Sequence, residues 1–182
     1  MLLKKLSTIL IAFTLLFPLS AKATNTFEQK RYICRDCSEN ENAALSYFQD
    51  AGITDKNALA TILGNIKQES QFIPNVCEGG GIVPYHQCRG GFGLIQFTAS
   101  SRYYGLGTFS RQINGDPSSF DTQLKYIVTE PEWKVIENGF KQPGKSISQY
   151  MRYAFSWLRW GVKGPRESYA YDYANRLIQT DS

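Results

Sequence analysis

Apolar positions along the chain fall into helical periods separated by glycine and proline. Asn42–Asp50 reads as a first helix closed by Gly52. Asp55 caps a second, in which Leu59, Ile62, Leu63 and Ile66 follow the i, i+3, i+4, i+7 spacing of one buried stripe. Three residues further on, that stripe reaches Glu69, so an ionisable carboxyl ends an apolar face, where partial desolvation raises its proton affinity. Pro74 stops the helix, and a Gly-rich irregular stretch runs from Glu78 through Gly93. Phe92–Thr98 is a short β-favouring run, expected to form part of a small hairpin. Helical spacing resumes after Ser119 with Phe120, Gln123, Leu124, Ile127 and Val128, and Pro131 reads as a break. Gly139–Gly144 is a turn-rich connector. Two last helices are expected over Ser146–Trp160 and Glu167–Ile178, parted by Gly161 and Gly164-Pro165. No repeat or low-complexity tract interrupts this order, so the expectation is one mainly α domain with a small β-hairpin.

The first 23 residues fit none of these elements. Lys4 and Lys5 precede an apolar stretch from Leu6 to Leu19, followed by Ala21-Lys22-Ala23, a small-x-small cleavage pattern. Residues 1–23 are therefore expected to be a signal peptide, 24–41 an N-terminal extension and 42–182 the folded domain. The apolar stretch is shorter than the ~20 residues of a spanning helix, and no Cys follows it to take a lipid, so no stable membrane insertion is expected. This segment also explains the charge. The whole chain has 20 Lys+Arg against 16 Asp+Glu; removing Lys4, Lys5 and Lys22 leaves 20 − 3 = 17 against 16, a side-chain charge of +1. Such a chain has no electrostatic footprint for nucleic acid, and its binding is expected to rest on a shaped groove with weak salt dependence.

Export to a periplasmic or extracellular space makes disulfides the default for Cys34, Cys37, Cys77 and Cys88. Four cysteines allow three connectivities, and proximity pairs Cys34 with Cys37 and Cys77 with Cys88. A redox Cys-x-x-Cys normally opens a helix after a strand, a context that Cys34-Arg-Asp-Cys37 lacks. A zinc site built from the thiolates, with or without His86, suits neither the long spacing nor the compartment. No metal and no cofactor is expected, and His86 reads as a loop residue.

Two motifs carry a family likeness. Ala60-Thr-Ile-Leu-Gly-Asn-Ile-Lys-Gln-Glu-Ser70 followed by Gly90-Gly-Phe-Gly-Leu-Ile-Gln96 resembles the superfamily of goose-type lysozymes and lytic transglycosylases. Gly64-Asn65-Ile66, Gln96-Phe97-Thr98 with Arg102, Gln123-Leu124-x-Tyr126, Tyr153-Ala-Phe-x-Trp157 and Arg166-Glu-Ser-Tyr-Ala170 make the phage-tail lysozyme type the closer variant. The resemblance implies cleavage of the β-1,4 bond between N-acetylmuramic acid (MurNAc) and N-acetylglucosamine (GlcNAc) in peptidoglycan, with Glu69 as general acid. It places Gly93, Leu94 and Gln96 along the substrate cleft. Ser70 reads as a helix-end hydroxyl or a partner of Glu69, and Tyr103 and Tyr104, in an irregular segment, read as candidates for lining the groove. The later aromatic residues, among them Tyr150, Tyr153, Trp157, Tyr169 and Tyr173, recur at helical spacing and are mostly assigned to the core.

The second catalytic group is where the pattern departs. Thr98 stands where goose-type lysozymes carry an Asp, and Glu78 is the only carboxylate of the Cys77–Cys88 loop, so Glu78 is the expected second residue. Lytic transglycosylases use one Glu as acid and then base, giving 1,6-anhydro ends without added water, so hydrolase and transglycosylase both stay open, with the hydrolase preferred. A non-catalytic peptidoglycan-binding module is the reading from a different class. The setting is a cell's own wall during assembly of an envelope machine, or a foreign wall; a delivery protein or an inhibitor is compatible with either.

Overall fold

A computed structural model describes residues 31–180; the expected signal peptide and its cleavage site lie outside them. Among the described residues seven α-helices surround one core: α1 (Glu39–Asp50), α2 (Lys56–Ser70), α3 (Ser100–Gln112), α4 (Phe120–Ile127), α5 (Pro131–Lys141), α6 (Ile147–Leu158) and α7 (Arg166–Arg176). The fold is mainly α with one small antiparallel sheet, as expected. Strand β1 (Arg31–Ile33) pairs antiparallel with β2 (Ile178–Thr180), with Tyr32 opposite Gln179. The buried Gln49 amide brackets that pair from α1, accepting from Tyr32 N at 2.7 Å and donating to Tyr32 O at 3.1 Å. No helix of the described residues is long and apolar enough to cross a membrane.

Caps set several helix starts. Ser38 and Glu41 form a reciprocal capping box on α1, and Ser146 and Gln149 do the same on α6. Asp55 accepts from the N–H groups of Asn57 and Ala58 to open α2. α1 thus begins at Glu39, within the expected N-terminal extension.

Helix α2 is the central strut. The predicted stripe is enclosed, with Leu59, Ile62 and Ile66 inaccessible to solvent, and α7 crosses the helix closely at Gly64. A Cβ at Gly64 would stand 2.6 Å from Ala170 N and 2.9 Å from Arg166 O, so only glycine permits the approach. The gain in helix propensity of Gly64→Ala, about 1 kcal/mol, is therefore outweighed by overpacking of about 1–3 kcal/mol or more. A lower urea midpoint, together with weakened activity because α7 is displaced, is the expected result. On the far side, Trp133, Phe140, Tyr150 and Trp157 form a buried aromatic block in which Trp133 and Trp157 meet edge to face at 5.0 Å. This agrees with the core assignment of the late aromatics.

Residues 92–98 do not extend. Gly93 and Gln96 both have positive φ, at 72° and 51°, and Phe97 N donates back to Phe92 O at 2.9 Å, so the chain coils on itself. A single antiparallel bridge, Cys77 to Phe92, ties this coil to the preceding loop. That loop is closed by the disulfide Cys77–Cys88, and Cys34–Cys37 forms the other.

Candidate active site

Glu69 occupies the last turn of α2, which ends with Gln71 in the left-handed region. Two hydrogen-bonding side chains lock this end to the coil of residues 92–98. The buried Ser70 hydroxyl lies 2.9 Å from Leu94 O and accepts from Phe72 N at 3.1 Å. Gln123, fully buried on α4, accepts from Leu94 N at 2.8 Å and donates to Pro74 O and Pro117 O at 2.6 and 2.8 Å. A Cβ on Gly93 would lie 2.2 Å from Gln123 Oε1, which is why glycine precedes Leu94. Ser70, Gly93 and Leu94 thus brace the site from beneath; the enclosed Leu94 side chain offers a ligand no surface.

Two cavities meet at Glu69 and Gln96. The larger, about 590 Å³, extends past Arg102, Glu132, Trp160 and Arg166. The smaller, about 320 Å³, extends past Ile73, Val76, Gly79 and Ile82 toward the disulfide loop. Their shared residues make one groove with the Glu69 carboxyl near its middle. Gln96 is held by its own backbone surroundings, with Nε2 donating to Gly93 O at 3.1 Å and Val76 O at 3.4 Å.

The Glu69 side chain is only 14% exposed, and this burial holds its proton affinity above the ordinary carboxylate value. The cations Arg166 and Arg102 pull the other way without reversing the shift. Arg166 Nη1 is 2.8 Å from Glu69 Oε1, an ion-pair distance. The guanidinium also lies over the Trp160 ring at 4.7 Å, and both its charge and its contact with the carboxyl favour the ionised form of Glu69. Replacing Arg166 with Met removes a charge that favours ionised Glu69, so the alkaline limb of the pH–rate profile is expected to move to higher pH. A purely structural role would lower the rate without moving that limb.

At the wall of the larger cavity Arg102 pairs with the enclosed Glu130. Arg102 donates from Nε at 2.9 Å and Nη2 at 2.5 Å to Glu130, which also accepts from Trp157 Nε1 at 2.8 Å. Burial raises the proton affinity of Glu130, with the Arg102 hydrogen bonds opposing.

Other expected site residues lie elsewhere. Glu78 is exposed and lines neither cavity of the groove; its Oε2 accepts from Gly91 N at 3.0 Å, a latch for the disulfide loop. Tyr103 and Tyr104 sit on helix α3, not in an irregular segment. Tyr103 stacks on Tyr85 at 4.3 Å, Tyr104 is 69% exposed, and neither lines the groove. His86 borders a separate depression with Pro84 and Ser118. The reading of residues missed Arg166 as a neighbour of Glu69 and missed Glu130 and Glu132 altogether. One signal for Arg166 was present: a cation at the first position of a helix opposes the helix dipole and calls for an anionic partner.

The family model of phage tail lysozyme matches residues 39–179. The chain belongs to the phage tail lysozyme family. The match takes in both faces of the groove, from α2 to α7, and makes this a lysozyme-like peptidoglycan glycosidase. No curated protein matches the chain.

Proposed function

We propose that the protein is an exported muramidase that hydrolyses the β-1,4 bond between MurNAc and GlcNAc, with Glu69 as the general acid. The observation that carries this reading is the position of Glu69, a desolvated carboxyl at the junction of two cavities in a lysozyme-family groove. Breaking a glycosidic bond requires a proton on the leaving oxygen, and a carboxyl with raised proton affinity keeps that proton toward neutral pH. A glycan strand along the groove would span both cavities, with the scissile oxygen over Glu69. The two disulfides and the cell-wall substrate support export.

Purified protein is incubated with insoluble peptidoglycan, which is then pelleted, and protein in the pellet and sugar in the supernatant are measured separately. Release of soluble fragments is the expected outcome. Protein that pellets with the wall and releases nothing would make it a binding module and end the enzymatic reading.

A further inference from the structure

Glu69 can supply a proton, but hydrolysis with inversion also needs a base to activate water from the opposite side of the sugar. Thr98, on the side of the larger cavity, has no carboxyl, and its hydroxyl is engaged with Gln96 O at 2.8 Å. Glu78 lines neither cavity of the groove, and its Oε2 is engaged by Gly91 N at 3.0 Å. Glu130 is 1% exposed and committed to Arg102 and Trp157. The remaining carboxylate in the larger cavity is Glu132. It is half-buried, and no hydrogen bond or ion pair engages it among the described residues.

Building on the muramidase reading, we propose that Glu132 is the second catalytic carboxylate, the base that takes a proton from the attacking water. Glu132 is the second residue of α5, directly after Pro131 at its first position. Arg102 and Arg159 line the same cavity and bring positive potential to it. An uncommitted carboxylate has its lone pairs available for water, whereas those of Glu130 are filled. Glu132 reaches the larger cavity from α5 and Glu69 reaches it from α2, so one cavity is lined by two carboxyls from different helices.

The step balances without a further reactant. Glu69 gives its proton to the glycosidic oxygen as the C1–O bond breaks, and that electron pair leaves with the GlcNAc hydroxyl. Glu132 takes a proton from water as the water oxygen bonds to C1 of MurNAc. The products are a GlcNAc hydroxyl and a reducing MurNAc of inverted configuration, with the net proton gone from Glu69 to Glu132.

The test compares wild type, Glu132→Ala, Glu132→Gln and Glu69→Gln on purified peptidoglycan, with and without sodium azide. Thermal melts check the fold, and the isosteric Gln variant covers the case in which Ala perturbs α5. Removal of the base is expected to slow hydrolysis about 10²–10⁴-fold. Azide, a nucleophile that needs no base, is expected to restore turnover in Glu132→Ala and to leave MurNAc glycosyl azide, detected by mass; Glu69→Gln gives no such rescue. A wild-type rate in both Glu132 variants, loss without azide capture, or wild-type products carrying only 1,6-anhydro ends overturns the assignment of Glu132. Full activity of Glu69→Gln would instead overturn the reading on which it rests.

Discussion

Glu69→Gln is expected to slow release of soluble peptidoglycan fragments by at least about 10²–10⁴-fold, the usual contribution of a positioned acid. The amide has nearly the same shape and leaves the groove intact, so binding to the insoluble wall should persist. Stability should change in the opposite direction. Glu69 binds its proton more tightly in the folded chain than in the unfolded one, because burial disfavours the carboxylate. The folded state therefore loses stability as pH rises from the ordinary carboxylate range through the raised value, and the deficit remains above it. The amide variant mimics the protonated acid and escapes this loss. Its melting temperature is expected to exceed wild type at neutral pH and to converge with it below the ordinary carboxylate range. Equal melting temperatures across that pH range would contradict the desolvated placement of Glu69.

The largest stability loss is expected from Glu130→Ala. The change strands the Arg102 guanidinium, 9% exposed, without its two hydrogen bonds, and leaves Trp157 Nε1 without its acceptor. Breaking a buried pair from one side costs about 3–5 kcal/mol, because the surviving charge stays desolvated. Replacing both partners at once, Arg102→Met with Glu130→Leu, removes that stranded charge and should recover part of the loss. A double-mutant cycle in chemical denaturation measures the difference. Additive losses would show that the two groups are not coupled, contrary to the geometry.

How far sequence leads depends on whether the signal is local. The stripe from Leu59 to Ile66 identified α2 because each member packs on one face, and it carried Glu69 to the right place at the helix end. Pro131 was ambiguous: it does end one helical run, yet it also opens α5 from the first position, where its missing N–H costs nothing. Taking it only as a break hid α5 and with it Glu132. Helix α3, taken for an irregular segment around Tyr103 and Tyr104, contains Gly105 and Gly107, which are poor helix formers. Each meets a tyrosine hydroxyl from another element, Tyr126 and Tyr85, so the reason for those glycines lies in tertiary contacts. The coil of residues 92–98 was mistaken for a strand because its buried apolar residues look β-favouring, while Gln123, which holds it, comes from α4. Glu69 was legible because it ends a local pattern. Its surroundings were not, since Arg166 comes from α7 and the Arg102–Glu130 pair joins α3 to the start of α5.

The most direct measurement is mass spectrometry of the fragments that the wild-type protein and Glu69→Gln release from purified peptidoglycan. Fragments ending in reducing MurNAc, present with wild type and absent with the variant, are the predicted result. Fragments ending in 1,6-anhydro-MurNAc would contradict hydrolysis, and equal release by Glu69→Gln would contradict the placement of the acid.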